Sequence, residues 1–236
     1  MRMSVFFISG IDTDIGKTVA VGAMARYLLS QGRRVITVKM IQTGNEGFSE
    51  DLQKHRAMMG VGLLPEDREG LTAPQILPFP ASPHLAAKLA GRPVDLAAIS
   101  SAVATLAQRY EVVLVEGAGG LAVPLTEDVL TVDFAAGQHW PMILVSSGRL
   151  GSLNHSIQAM EMAAARKLNI VGTVYNWCPQ GDPTICADSR RMIGVFLGRY
   201  GHRQVVVDLP EIRGGGDGVA SVVDFSPIFG ACDDGD

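Results

Sequence analysis

The sequence predicts an α/β fold in which one mostly parallel, twisted sheet carries helices on both faces. Short runs of β-branched and other apolar residues alternate along the chain with stretches of helical periodicity. Strands that alternate with helices are typical of parallel sheets. Within a run such as 112–115, apolar residues follow one another without polar positions between them. Such strands are covered on both faces, which indicates two helical layers.

The elements can be placed in order from these patterns. The predicted strands are 5–9, 35–38, 112–116, 142–146, 170–176 and 205–208. Helices are predicted at 17–31, 152–167 and 185–200, with a candidate at 51–59. A further helix is indicated by Ile99, Val103, Leu106 and Tyr110, which recur at helical spacing before the third strand. The glycine- and aspartate-rich segment 211–236 has little to bury, so we expect it to be partly flexible.

Length and composition limit the class of protein. The 236 residues, 47% hydrophobic and 19% charged, suit one folded domain spanning 1–236. A net charge of -4 argues against a nucleic-acid partner. Three cysteines without a CxxC pair predict neither a disulfide framework nor a zinc cage. Because no long apolar run exists, we expect no membrane contact and a cytoplasmic location.

The strongest motif is Gly-Ile-Asp-Thr-Asp-Ile-Gly-Lys-Thr at 10–18, between the first strand and the first helix. Loops in that position bind phosphates with backbone N–H groups at the helix N-terminus. Lys17 would reach the β- and γ-phosphates, and the Thr18 hydroxyl would bind Mg²⁺. Five residues rather than the common four separate Gly10 from Gly16, and a chance glycine turn is the alternative. We predict a P-loop NTPase fold. The expected phosphate-binding residues are Asp14, Ile15, Gly16, Lys17, Thr18 and Val19.

Charged residues stand at the ends of two other predicted strands. Lys39 ends the second strand, and Glu116 ends the third, before Gly117, Ala118 and Gly119. Carboxyl ends of parallel strands share one edge, so both side chains would face the phosphate loop. Lys39 could stabilise a phosphoryl group in transfer, and Glu116 could hold a metal ion. A solvated lysine and a turn glutamate are the alternatives. Asp51 could be a second metal ligand, but spacing alone favours an acid that stabilises the first turn of a helix. Thr43 could contact a substrate, but on its own it is more typical of a turn.

Two further segments are candidates for ligand contact. The helix that begins near Ser152 would offer free N–H groups as a second anion site, although Ser152 could also serve only as a cap. Asn176 ends a strand, where it could bind an adenine edge or simply complete a turn. The five histidines lack metal-ligand spacing, and only His155 lies in a candidate site.

Four segments in this order resemble the dethiobiotin synthetase family. They are the loop at 10–18, Val-Lys-Met-Ile-Gln-Thr-Gly at 38–44, Leu-Val-Glu-Gly-Ala-Gly-Gly at 114–120 and Gly-Arg-Leu-Gly-Ser-Leu-Asn-His at 148–155. The resemblance covers about residues 5–210. It implies an ATP-dependent ligase of biotin biosynthesis that acts on 7,8-diaminononanoate and CO2 or bicarbonate. A carbamate is phosphorylated, the second amine closes the ureido ring, and dethiobiotin, ADP and phosphate leave.

The resemblance also implies roles for individual residues. Lys17 and Lys39 would be catalytic, and Thr18, Asp51 and Glu116 would hold Mg²⁺. Substrate would contact Lys39, Thr43 and, from a second subunit of a homodimer, Leu150, Gly151 and Asn154. Adenine would contact Asn176, Leu209, Pro210 and Glu211. Two residues depart from the family pattern: Met40 replaces a proline after the lysine, and Trp177 follows Asn176. Residues 186–190 do not supply the family's other carboxylate-binding residues.

Two other classes compete with this interpretation. A P-loop switch ATPase of the partitioning or septum-positioning type would share the sheet and the acid at the strand end. That class carries a further lysine early in the loop, where this chain has Gly10, Ile11 and Asp12. This sequence also has no basic amphipathic tail of the kind that such an ATPase would use to bind a membrane surface. An amidoligase of the cobyrinate type would add a glutaminase domain, for which 236 residues leave no room.

Overall fold

A computed structural model describes residues 4–178, 181–212 and 223–230. Its strands are β1 Ser4–Gly10, β2 Val35–Lys39, β3 Gln42–Thr43, β4 Ile76–Leu77, β5 Val112–Gly120, β6 Met142–Ser147, β7 Ile170–Asn176 and β8 Val206–Leu209. Its helices are α1 Lys17–Ser30, α2 Glu50–Met59, α3 Pro65–Arg68, α4 Pro83–Leu89, α5 Leu96–Arg109, α6 Thr131–Gly137, α7 Ser152–Ala165, α8 Pro183–Arg199 and α9 Ser226–Phe229. The predicted strands and long helices are confirmed, with ends that differ by a few residues.

Six strands form one parallel sheet in the order β2-β5-β1-β6-β7-β8. The register pairs Glu116 of β5 with Ile8 of β1 on one side and with Lys39 of β2 on the other. All carboxyl ends therefore lie at one edge, where the loop after β1 meets the ends of β2 and β5. Ligands of open α/β sheets bind at this kind of edge.

Each central strand buries both of its faces, as the uninterrupted apolar runs predict. Phe7 and Val115 pack on one side with Ile99 of α5, in the core that also contains apolar residues of α7 and α8. Ile8 and Leu114 pack on the opposite side with residues of α1. Because successive side chains of a strand point to opposite faces, one strand serves two cores. The result is the helix–sheet–helix arrangement expected from the sequence.

Helix α2 is fixed at both ends and across its middle. The Ser49 hydroxyl accepts the Leu52 N–H at the N-terminus, and Gly60 closes the helix with a φ of 71°. The Arg56 guanidinium donates both Nε and Nη2 to the Asp67 carboxylate, at 2.8 and 2.6 Å. Arg56 Nη1 also donates to Thr37 Oγ1 of β2 at 2.7 Å. This buried network anchors α2 beside β2, the strand that ends at Lys39.

The hydrogen bonds of this network lower the pKa of its acid, Asp67. Burial alone would raise the pKa of the Asp67 carboxyl, but hydrogen bonds from Arg56 and Thr72 hold the pKa below its usual range. Thr72 Oγ1 donates to Asp67 Oδ1 at 2.7 Å. Asp67 is therefore a carboxylate at neutral pH, and the bidentate pair with Arg56 is a charge-assisted one.

Two parts of the chain differ from the expectation. Between residues 41 and 83 the sequence predicts only the helix at 51–59, but the structure adds a two-stranded parallel sheet, β3 with β4, and the short helix α3, while α4 begins at Pro83. The expectation that the end of the chain buries little is wrong for 223–230. There Val223, Phe225 and Ile228 are buried, and Phe225 contacts Tyr27 edge to face. Three isolated apolar residues carry too little periodicity to predict this. Residues 213–222 and 231–236 of that predicted tail lie outside the described residues.

Within the described ranges, no helix is long and apolar enough to cross a membrane.

Candidate active site

The loop between β1 and α1 has the conformation that a phosphate site requires. Gly16 caps α1 with a φ of 93°, a conformation that side chains with a Cβ rarely adopt. A Cβ at this position would also collide with the Asn176 amide. No side chain caps α1, so its first N–H groups have no side-chain acceptor. Free N–H groups and the positive end of a helix attract anions.

Lys17 begins α1, and its side chain turns back over the loop. Nζ donates to the Asp12 carbonyl oxygen at 2.7 Å, and the residue is buried. Burial, and then the positive charge of Lys39, lower the pKa of the Lys17 ammonium to about 8. The loop therefore holds a poorly solvated cation, which is the kind of group that gains most from a phosphate partner.

Lys39 and two carboxylates form the charged centre of the site. Lys39 Nζ lies 2.7 Å from Glu116 Oε1 and 2.8 Å from Asp51 Oδ2. Thr18 Oγ1 lies 3.0 Å from Asp51 Oδ1 and 3.1 Å from Glu116 Oε1. Four residues that are far apart in sequence thus meet at one point, as the strand-end argument predicted for Lys39 and Glu116. Helix α2 brings Asp51 there, which spacing alone did not predict.

Lys39 and Glu116 each stabilise the charged form of the other. Burial opposes the charge on Lys39, but Glu116 and then Asp51 raise the pKa of its ammonium above the usual value. Burial likewise favours neutral Glu116, yet Lys39 and then His55 hold the pKa of its carboxyl far below the usual range. Both groups are therefore ionised at neutral pH, and removing either one leaves a buried charge without its partner.

His55 completes the centre and was missed by the sequence reasoning. Its Nε2 lies 2.8 Å from Glu116 Oε2, and the side chain is fully buried. The signal was present, because His55 follows Asp51 by four residues on α2 and so shares its face. The sequence does not show, however, that α2 brings this histidine to Glu116 of β5. On sequence alone, a histidine on a helix face is predicted to be an ordinary core residue.

The donor set fits Mg²⁺. Thr18 Oγ1 lies 3.0 Å from a carboxylate oxygen of Asp51 and 3.1 Å from one of Glu116, so three oxygen donors meet here. Mg²⁺ prefers oxygen ligands, keeps several waters and needs only one or two protein carboxylates beside substrate phosphates. No group of three or more His, Cys, Asp or Glu with metal-binding placement occurs in the described part of the chain.

A cleft of about 720 Å³ opens in front of these groups. It is lined by much of the predicted set, namely Asp14, Gly16, Lys17, Thr18, Val19, Lys39, Thr43, Asp51, Glu116, Ala118 and Gly119. Residues not predicted also line it, among them Gln42, Lys54 and Pro80 to Pro83. Ile15 and Gly117 lie next to this lining, and both are buried. The volume admits a nucleotide phosphate chain together with a small substrate.

The residues predicted to contact adenine lie beside the phosphate loop rather than in this cleft. Asn176 Nδ2 donates to the Ile15 carbonyl oxygen at 2.9 Å, and its Oδ1 accepts the Cys178 N–H at 3.0 Å. Leu209 pairs with Asn176 in the sheet and is buried, while Pro210 and Glu211 after it are exposed. The amide of Asn176 thus supports the loop in this structure.

The residues at the start of α7 also lie outside the cleft. Gly151 caps the helix with a φ of 93°, and Leu150 before it is 83% exposed. Asn154 is exposed on the first turn. Arg149 ties this segment to the phosphate loop, because its Nη2 lies 2.6 Å from Asp12 Oδ2. Within one chain, the anion site predicted here and the cleft are therefore adjacent but separate.

Three similar proteins of known name are all described as dethiobiotin synthetases. A family model described as an AAA domain matches residues 4–214. The ATP-dependent dethiobiotin synthetase BioD 2 of Pasteurella multocida is 44% identical over 83% of this chain and 92% of its own length. The ATP-dependent dethiobiotin synthetase BioD of Chlorobaculum tepidum is 44% identical over 89% of this chain and 88% of its own. The BioD 2 protein of Haemophilus influenzae is 46% identical over 75% and 93%.

Solved structures share the fold. Chloroplast FtsY from Physcomitrella patens superposes with a TM-score of 0.51 at 19% identity, over 93% of this chain and 61% of that one. A ParA family ATPase from Chlorobium tepidum superposes with a TM-score of 0.51 at 15% identity, over 89% and 85%. Identities this low establish the arrangement of sheet and helices alone.

Proposed function

The chain belongs to the AAA domain family and, within it, to the ATP-dependent dethiobiotin synthetases, and we propose on that premise that it closes a ureido ring on 7,8-diaminononanoate using ATP. The observation that carries this assignment to the site is the position of Lys39. Its ammonium lies between Asp51 and Glu116 at the strand ends, beside the loop residues Lys17 and Thr18. The competing switch ATPase has support only at the level of fold.

The proposed reaction has three steps. One amine of the diamine attacks CO2 and gives a carbamate. A carbamate oxygen then attacks the γ-phosphorus of ATP, and ADP leaves. The second amine attacks the carbon of this carbamic–phosphoric anhydride and expels phosphate, which closes the ring. Each step after the first moves negative charge onto phosphate oxygens, so positioned cations lower its barrier.

Lys17 and Lys39 supply those cations in our proposal. Lys17 lies at the first turn of α1, where the β- and γ-phosphates would bind. Lys39 faces the same cleft from the end of β2. In this structure its ammonium forms ion pairs with Asp51 and Glu116, and we propose that it turns to the transferred phosphoryl group and the carbamate during the reaction. Thr43, which also lines the cleft, would contact the diamine.

Thr18, Asp51 and Glu116 would hold Mg²⁺ in this proposal. When bound, the ion would neutralise charge on the β- and γ-phosphates. The protein residues then have a simple task, which is to present oxygen atoms at fixed positions. The hydrogen bonds that already join these three residues support that assignment.

We further propose a homodimer in which the start of α7 from one subunit completes the cleft of the other. Leu150 is a large apolar residue that is 83% exposed, and Asn154 stands on the exposed first turn. The free N–H groups of that turn would bind the carboxylate of the diamine substrate. Asn176, Leu209, Pro210 and Glu211 would contact the adenine from the opposite side of the loop.

The direct test is product formation. Purified protein is incubated with Mg²⁺, ATP, bicarbonate and 7,8-diaminononanoate, and the mixture is analysed by mass spectrometry for dethiobiotin. We expect product that disappears when any one component is omitted. ATP hydrolysis that is independent of the diamine and gives no dethiobiotin would contradict the proposal and favour the switch ATPase.

A further inference from the structure

His55 is a buried polar residue to which the proposed reaction gives no role. Its side chain is fully buried, and its Nε2 contacts Glu116 Oε2 at 2.8 Å. Its Nδ1 makes no hydrogen bond to any described residue. The contact with Glu116 is therefore the one polar contact of this ring within the described structure.

The direction of this hydrogen bond follows from its partner. An ionised carboxylate only accepts hydrogen bonds, and Glu116 is ionised because Lys39 lies 2.7 Å from its Oε1. Nε2 therefore carries a hydrogen and donates it to Oε2.

The two oxygens of Glu116 thus have different partners. Oε1 accepts from Lys39 Nζ at 2.7 Å and lies 3.1 Å from Thr18 Oγ1, whose single hydrogen is shared between Glu116 and Asp51. Oε2 accepts from His55 on the far side. A carboxylate with a donor on only one oxygen can rotate about its Cγ–Cδ bond, whereas donors on both oxygens fix it. The Nε2 contact therefore keeps Oε1 directed at the hydroxyl of Thr18.

Helix α2 couples this contact to a second ligand candidate. Asp51 and His55 lie one turn apart on the same face, and Arg56 pins the next position to Asp67 and Thr37. One rigid helix thus presents one carboxylate directly and orients the other through His55.

We propose that His55 is a positioning residue that holds the Glu116 carboxylate so that its Oε1, with Thr18 and Asp51, forms the divalent-cation site. The inference concerns cation binding and rests on the proposed function only for its catalytic consequence. Partners of metal ligands outside the coordination sphere typically change metal affinity or activity by about 10–100-fold when removed. A donor lost from Oε2 belongs to this class.

Three variants separate positioning from packing. His55→Gln places an amide nitrogen near the position of Nε2, whereas His55→Asn reaches only as far as Nδ1, and His55→Leu offers no donor. Gln53→Leu, on the exposed part of the same helix, is the matched control. Mn²⁺ binding is measured by electron paramagnetic resonance in the presence of ADP, without turnover, and thermal unfolding is recorded for each protein.

We expect His55→Asn and His55→Leu to weaken Mn²⁺ binding by about 10–100-fold, while His55→Gln and Gln53→Leu stay close to the wild type. Equal losses for the Gln and Asn variants, or wild-type binding by a folded Leu variant, would overturn the proposal. A ¹⁵N spectrum of the wild-type protein provides a test that needs no variant, because it must show a protonated Nε2 at His55. A protonated Nδ1 with a bare Nε2 would refute the assignment.

These outcomes are separable from the proposed function. If the variants follow the expected order of Mn²⁺ affinity but the wild type makes no dethiobiotin, the positioning role stands and the assigned reaction fails. If dethiobiotin forms and Mn²⁺ affinity is unchanged in folded His55→Leu, the reaction stands and the positioning role fails.

Discussion

Replacing Lys39 with methionine removes the positive charge at the centre of the site and keeps most of the aliphatic stem. In the structure the ammonium lies 2.8 Å from Asp51 and 2.7 Å from Glu116. At an effective dielectric constant of about 20, unit charges at this separation attract each other by about 6 kcal/mol. Desolvation offsets much of this attraction, and losing one partner of a buried pair costs about 3–5 kcal/mol of stability.

Two consequences of Lys39→Met can be measured. Without divalent cation, the melting temperature should fall by about 6–20 °C, given the usual 2–4 °C per kcal/mol for a chain of this size. Mg²⁺ should raise the melting temperature of the variant more than that of the wild type, because the two carboxylates have lost their internal cation. Loss of a positioned charge in the transition state should lower kcat by about 10²–10³-fold.

The assay combines calorimetry with and without Mg²⁺ and steady-state formation of dethiobiotin. Lys54→Met is the matched control, because Lys54 lines the same cleft but is exposed, and in the described structure it forms no ion pair with Asp51 or Glu116. Turnover at the wild-type rate in Lys39→Met would refute the catalytic assignment. An unchanged melting temperature, with no added response to Mg²⁺, would refute the electrostatic reasoning.

Three further outcomes are expected. Because protonated Lys17 is needed to bind phosphate and its pKa is about 8 in the free protein, kcat/KM for ATP should fall tenfold per pH unit above that value, and a flat profile to pH 10 would contradict this. Asn154→Ala should raise the KM for the diamine more than the KM for ATP, and an unchanged diamine KM would count against a cross-subunit site. The pKa of Asp67 is lowered on folding, so its stabilising effect is complete above its unfolded value of about 3.9 and is lost as the pH falls through the folded value. Denaturant titrations should show a shallower acid loss of stability in Asp67→Asn than in the wild type.

Much of the fold was predictable because strands that are covered on both faces appear in the sequence as continuous apolar runs. The strands β1 and β5 contain the uninterrupted apolar runs 5–8 and 112–115, and the spacing of glycine, lysine and threonine before α1 predicts a phosphate loop. The convergence of Lys39 and Glu116 followed from one topological rule about strand ends.

The remainder depended on tertiary contacts that no local pattern reveals. The two-residue strands β3 and β4 stabilise each other only once the chain has folded. Phe225 and Ile228 are buried because α9 returns to the core over a distance in sequence that periodicity does not bridge. The role proposed for His55 depends on its contact with Glu116, which is 61 residues away in the sequence.

The central claim is that this site joins a carbamate to the γ-phosphate of ATP rather than hydrolysing ATP with water. The most direct measurement supplies ¹⁸O-labelled bicarbonate together with the diamine and Mg-ATP, in a reaction brief enough to limit exchange with solvent. Released phosphate is then analysed by mass spectrometry. The proposed reaction predicts that one labelled oxygen passes from the carbamate into phosphate as dethiobiotin forms. Phosphate whose new oxygen comes only from water would contradict it.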